Sequence, residues 1–336
     1  MPSKQIERKM RKNYLDAAAG FLIIQIIIGH ILQLCYKWDY MDLWIRIFCF
    51  YMPFWYFKSG MFAKTNMDYK NCIRKGYEKL IVPFLAVTVI GWLMNMPFDF
   101  LNSDKSIFEI VFRPWASLLY HGSMPSSLTL WFLLSLFWVK ILGQYVINTI
   151  PRSYTHIVAL FVLLLGFGIS FIYKYFPLQI ATIFPGLFFY LMGYLSKDRI
   201  ERLNIPSIVA FMLIFILICV FYDSVVEMRS NSLAKGNYFL WAVKNYMGLM
   251  VFLTILSKMP RLRLLEYIGQ NSMSYYIFHW LVLLFIRNIF KIIYPGYTPE
   301  LFISISVLCC FIILPLVNYF ANKSFPYLIG NSHGRK

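Results

Sequence analysis

Charged side chains are scarce in this sequence. Asp, Glu, Lys and Arg make up 14% of its 336 residues, against about 25% in a soluble domain. Acidic residues are the rarer sign, 15 against 32 Lys and Arg. Hydrophobic residues fill 60% of the chain, and packing them into one water-soluble core would leave too little polar surface to face solvent. Hydrocarbon is the solvent that this composition fits.

Several chemistries are missing as well. There is no Gly-x-x-x-x-Gly-Lys loop, no Gly-x-Ser-x-Gly elbow and no His-Glu-x-x-His pattern, so ATP-driven and zinc-dependent activities have no support and no metal is expected. The six cysteines lie mostly inside apolar runs, without metal-ligand spacing or a disulfide framework, and read as packing residues. No linker or low-complexity tract divides residues 1–336, which form one domain. No internal repeat suggests an inverted-repeat transporter.

What the chain does have is a succession of spanning-length apolar runs. They lie near 15–36, 44–63, 80–96, 128–147, 156–173, 179–195, 205–222, 238–256, 267–290 and 299–321. The expected fold is an all-α integral membrane bundle of about ten helices. The basic stretch Lys4 to Lys12 precedes a first run without a small-x-small cleavage site, which predicts a retained helix. Segments on the N-terminal side of the membrane hold 20 Lys and Arg, and those on the opposite side hold 7. That asymmetry predicts cytoplasmic N and C termini. It also assigns most of the net charge of +17 to topology, with no nucleic-acid partner. The longest outer segment, 97–127, carries Asp99, Asp104, Glu109, Arg113 and His121 and is expected to form an extracytoplasmic loop.

An ionisable residue inside a span is costly and marks a candidate site. His30 lies some 22 Å along the first helix from Leu15, at about 1.5 Å per residue. Asp16, fourteen residues earlier, falls within roughly 40° of the same face. A carboxylate there also complements the helix dipole. His279 sits mid-span in the ninth run. His121 and His156 read as solvated. Lys58, Lys140, Arg46, Lys244 and Arg287 lie near span ends, where long stems can reach the interface; Lys58 stands out because Ser59 and Gly60 follow it.

Six stretches, in order, resemble the membrane-bound acyltransferase-3 family of bacterial O-acyltransferases that modify cell-surface glycans. They are Asp16 to Gly20 running to Gly29-His30; Met52-Pro53 to Ser59-Gly60; Lys79 to Pro83-Phe84; Leu130-Trp131-Phe132-Leu133; Phe189 to Gly193-Tyr194; and Ile268-Gly269 to Tyr275-Tyr276-Ile277-Phe278-His279. The resemblance implies transfer of an acyl group, commonly acetyl from cytoplasmic acetyl-CoA, to a hydroxyl of an extracytoplasmic or lipid-linked saccharide. It places the chain as a multi-pass protein of the bacterial inner membrane.

By the same resemblance His30 is the leading catalytic residue, with Asp16 beside it in the motif. Imidazole is suited to take a proton from a sugar hydroxyl near neutral pH. Arg74, Lys75 and Lys79 would suit the phosphates of CoA; Lys58, Ser59, Trp131 and His279 would support the substrate. The family often has a cation eleven positions before the catalytic His, where this chain has Ala19, and Lys58 is a candidate substitute. A cavity is expected between helices one, two, three and nine, reaching from a basic cytoplasmic mouth towards the outer leaflet, with His30 facing it. A saccharide flippase and an inactive glycan-binding relative stay open as alternatives.

Overall fold

The computed structural model describes residues 12–37, 47–102, 105–172, 176–294 and 296–330. Arg46, Asp104, Lys174, His333 and the basic stretch before Lys12 lie outside the described residues. The chain is built from α1 (Asn13–Leu34), α2 (Tyr51–Met61), α3 (Tyr69–Gly76), α4 (Val82–Asn102), α5 (Ile107–Val111), α6 (Arg113–His121), α7 (Trp131–Thr149) and α8 (Thr155–Ile169). It continues with α9 (Ile180–Ser196), α10 (Ile205–Phe221), the hairpin β1 (Val225–Glu227) and β2 (Ser232–Lys235), α11 (Tyr238–Lys258), α12 (Arg263–Gln270), α13 (Ser272–Ile293) and α14 (Pro299–Ser324).

Among the described residues, seven helical stretches are long and apolar enough to cross a membrane. The α8 and α10 helices are apolar but shorter, and α2 has 11 residues. Each apolar run of the sequence coincides with a helix, but not with the same limits. The run 267–290 breaks at Asn271, whose amide bonds back to Tyr267 and Ile268 and closes α12 as a separate helix. The expected loop 97–127 is mostly helical. The α4 helix continues through Pro97 to Asn102, and Ser106 and Glu109 form a capping box that starts α5.

Two pairs of glycines set the tightest contacts. A methyl group on Gly20 would collide with the carbonyl of Leu265, and one on Gly269 with the carbonyl of Asp16. Side chain-free positions therefore let α1 and α12 touch backbone to backbone, as small residues do between membrane helices. The α2 and α9 helices repeat the device: Gly60 abuts the carbonyl of Tyr190, and Gly193 that of Phe57. All four glycines belong to the motifs quoted above.

Pro83 has a local role of its own. It has no N–H to give the carbonyl of Lys79, and the turn before it, Tyr77–Ile81, is π-helical. The widened turn carries the chain from exposed α3 into α4.

Polar links gather one set of loops at one end of the bundle. Lys12 pairs with Glu201 at 2.8 Å and Arg152 with Asp198 at 2.9 Å. Gln144 donates to the carbonyl of Lys64, and Asn148 to that of Met67. At the opposite end Lys37 pairs with Glu300 at 3.2 Å, and Arg229 Nη2 donates to Ser123 Oγ at 3.0 Å.

The hairpin has no counterpart in the sequence reading. It pairs antiparallel, Val226 with Leu233 and Glu227 with Ser232. Asn231, left-handed at φ 51°, anchors its turn: Nδ2 donates to the Gly166 carbonyl and Oδ1 accepts from Tyr238. Lys244 is corrected too. It does not reach for the interface but is 1% exposed, and its Nζ donates to the Ser224 carbonyl at 2.8 Å just before β1. A buried ammonium needs such a partner.

Candidate active site

The glycine contact between α1 and α12 fixes where two histidines meet. His30 follows Gly20 by ten residues, and His279 follows Gly269 by ten. The α1 helix climbs about 15 Å from Gly20 to His30, and α13 leads on from the break at Asn271 to His279 beside it. The rings arrive at one height and stack, with centroids 5.3 Å apart and planes at 25°. Trp280 stands edge-on to His30, also at 5.3 Å, and donates its indole N–H to the Pro125 carbonyl at 3.4 Å.

Hydrogen bonds assign the tautomers. His30 Nδ1 lies 2.8 Å from Gln33 Oε1, one helical turn on. An amide oxygen only accepts, so Nδ1 carries the proton in this contact. His279 Nδ1 donates to the Tyr276 carbonyl at 2.6 Å. Its Nε2 is buried and has no partner among the described residues. The two imidazoles lie side by side with Nδ1 of each engaged as donor, so that a neutral ring there has its lone pair on Nε2.

His30 lines a cavity of about 470 Å³. The α1 helix contributes Gln25, Gly29, His30 and Gln33, and the start of α2 contributes Tyr51 to Pro53. Leu128 and Thr129 come from the turn that leads into α7, Trp131 from the start of α7, and Trp241 and Tyr276 from α11 and α13. The hairpin closes it with Ser224 to Arg229 and Ala234. Gln25 Oε1 and Thr129 Oγ1 are buried and unpartnered among the described residues. Such orphaned acceptors fit a hydroxyl-bearing ligand.

The wall differs from the one expected. No residue of the third span, α4, takes part. Thr88 of α4 instead accepts from Ser127 Oγ at 3.3 Å, so the turn at 125–130 stands between that helix and the cavity. Among the described residues Arg229 is the one Lys or Arg in this wall; Arg74, Lys75 and Lys79 are exposed and line none of it. The Arg74 guanidinium donates to Asn71 at 3.1 Å.

Asp16 and Lys58 meet, far down α1 from His30. Lys58 Nζ is 3.7 Å from Asp16 Oδ1 and donates to the Leu15 carbonyl at 3.3 Å. Their side chains are 18% and 9% exposed, Lys58 first. The lysine therefore does not run out to the interface. It brings a cation within one helical turn of Ala19, which is fully buried.

The family model described as an acyltransferase domain, acyltransferase 3, matches residues 12–321, nearly the whole chain. The chain belongs to the acyltransferase-3 family. Membership supports acyl transfer to a hydroxyl as its general activity, and the apolar helices support a multi-pass membrane protein. No curated protein and no solved structure matches the chain.

In this acyltransferase-3 chain the structure brings His30, His279 and Trp131 to one cavity region and Asp16 and Lys58 to another. Ser59 is half-buried beside the Gly60 contact. The sequence reading missed Gln25, Gln33 and Trp280. Gln33 was within reach of it, since residues three apart on a helix are neighbours. Gln25, an amide in an unbroken apolar run, gave a similar signal. His121, expected to be solvated, is half-buried and lines a separate cavity of about 510 Å³.

Proposed function

We propose that this acyltransferase moves an acyl group, acetyl in the first instance, from cytoplasmic acyl-CoA to a hydroxyl of an extracytoplasmic or lipid-linked saccharide. The observation that carries the proposal is His30 at the cavity wall, with Nδ1 engaged by Gln33 and the Nε2 lone pair left for a substrate proton. His30 takes the proton of the acceptor hydroxyl as its oxygen attacks the thioester carbonyl. The C–S bond breaks, the ester forms, and the proton passes from His30 to the departing thiolate. Gln25 and Thr129 accept hydrogen bonds from other hydroxyls of the acceptor, and Trp131 gives it an aromatic face.

The topology that goes with this reading has ten crossings of the bacterial inner membrane and both termini in the cytoplasm. It is supported by the loops that gather at the start of α1, which are those richest in Lys and Arg. The inner-rim cations Arg74, Lys75 and Lys79 then meet the phosphates of the donor. Acyl-CoA consumption by the purified protein, offered a panel of surface glycans, tests the proposal. Acyl ester should appear on one of them and vanish with His30→Ala. No turnover with any donor, despite measurable glycan binding, would overturn it in favour of an inactive relative.

A further inference from the structure

A cavity of about 800 Å³ opens at the end of the bundle where α1 begins, away from His30. Its polar wall is Arg152, Ser153, His156, Asp198, Arg199 and Arg202. Tyr246 of α11 also lines it, its hydroxyl 3.0 Å from Ser196 Oγ.

The charges in this wall do not balance. Arg152 is held in place, with Nη2 2.9 Å from Asp198 Oδ2 and 3.3 Å from the Leu195 carbonyl. One arginine and one carboxylate thereby cancel. The next acid in the chain, Glu201, is drawn off to Lys12 at 2.8 Å. Within the described residues no ion pair engages Arg199 or Arg202. Both are exposed at the rim. Topological charge accounts for arginines at this end of the molecule. It does not account for three of them converging on one cavity beside a histidine and a serine hydroxyl.

We propose that this cavity is a binding site for a phosphate group, gripped chiefly by the guanidinium forks of Arg199 and Arg202, with Ser153 and His156 as further donors. Planar forks match phosphate oxygens two at a time, which a lysine point charge does not. Two sources can carry that chemistry to this place: the headgroup of an anionic phospholipid, and the phosphorylated end of a soluble nucleotide. The first is independent of the acyl-CoA reading; the second rests on it.

The test uses the full chain in nanodiscs. In neutral phosphatidylcholine discs, adenosine 3′,5′-bisphosphate is titrated by calorimetry. In parallel, phosphatidylglycerol retained by the protein after extraction from mixed discs is counted by native mass spectrometry. One of the two probes should bind the wild type and weaken by about ten-fold or more in the Arg199→Gln, Arg202→Gln variant. Which one weakens identifies the source. The Arg199→Lys, Arg202→Lys variant keeps the topological charge and should still bind several-fold less tightly; it decides the matter if the Gln variant does not fold. Neither probe binding the wild type, or both binding all variants alike, would overturn the site. Acyl transfer is followed in the same samples. A chain that binds a probe through these arginines yet transfers no acyl group would leave this site standing and remove the acyl-transfer reading.

Discussion

At the end where α1 begins, polar groups are numerous and wet. Arg152 and Asp198 are 46% and 52% exposed in their side chains, Lys12 and Glu201 35% and 52%. Such pairs are worth about 0–1 kcal/mol each. Beside His30, towards the other end, the polar groups are dry. His279 is fully buried with one nitrogen committed and one bare, and Gln25 and Thr129 each hold an orphaned acceptor. An unmet buried acceptor costs about 1–3 kcal/mol. Charge at the wet end is cheap and suits orientation and anion capture. Polarity at the dry end is expensive, and such groups are kept where a substrate will meet them.

The contrast breaks most sharply at His30. His30→Ala should lower acyl transfer by about 10³-fold, the middle of the range for a general base, with the thermal midpoint nearly unchanged. Purified protein, acyl-CoA and a competent acceptor suffice to measure it. Transfer that persists would keep the enzyme and remove His30 from the step.

Between the two ends lie the glycine contacts, which carry the next largest effect. Gly269→Val would drive a branched side chain into the Asp16 carbonyl. A loss of about 3 kcal/mol or more is expected, because backbone cannot yield as a flexible side chain does. Gly168 is the matched control: nothing lies within 4 Å of a methyl group placed there. Gly168→Ala should be neutral or raise stability by up to about 1 kcal/mol. Thermal unfolding in detergent separates the two, and equal losses would refute the close contact of α1 and α12.

The buried pair sharpens the comparison further. Asp16→Ala, Lys58→Ala and their combination form a double-mutant cycle. Lying 3.7 Å apart and largely buried, the two should couple by about 1–3 kcal/mol. The same cycle on half-exposed Arg152 and Asp198 should give less than about 1 kcal/mol. Equal coupling energies would mean that depth in the bundle does not set the strength of these pairs.

The difference between the ends also explains what the sequence could tell. Apolar runs and the uneven spread of Lys and Arg are properties of single segments, so the helices were readable. The motif glycines and both histidines stood out as well. What they do was not readable, because Gly20 meets Gly269 only through a helix pairing across some 250 residues. The hairpin escaped notice because its strands have three and four residues, too short for alternation to show. Lys244 was misread for a related reason: its partner, the Ser224 carbonyl, belongs to that unseen turn. The wall of the cavity was placed on α4 because nothing local to the sequence says that Ser127 would reach Thr88 and put a turn in between.

The smallest expected effect lies on α12. Glu266 is 3% exposed and accepts from both Nε and Nη2 of Arg261. That hydrogen-bonded guanidinium, with the Leu262 amide and Arg263 nearby, holds its carboxyl below the usual carboxylate range. A carboxyl with a depressed folded value stabilises the protein above its unfolded pKa of about 4.3 and loses that contribution as pH falls through the folded value. Glu266→Gln removes the proton site. Its thermal midpoint should lie below that of the wild type at pH 7 and fall less on acidification below about pH 4, by about 1–2 °C. If wild type and variant lose stability in parallel over that window, the pairing with Arg261 does nothing for α12.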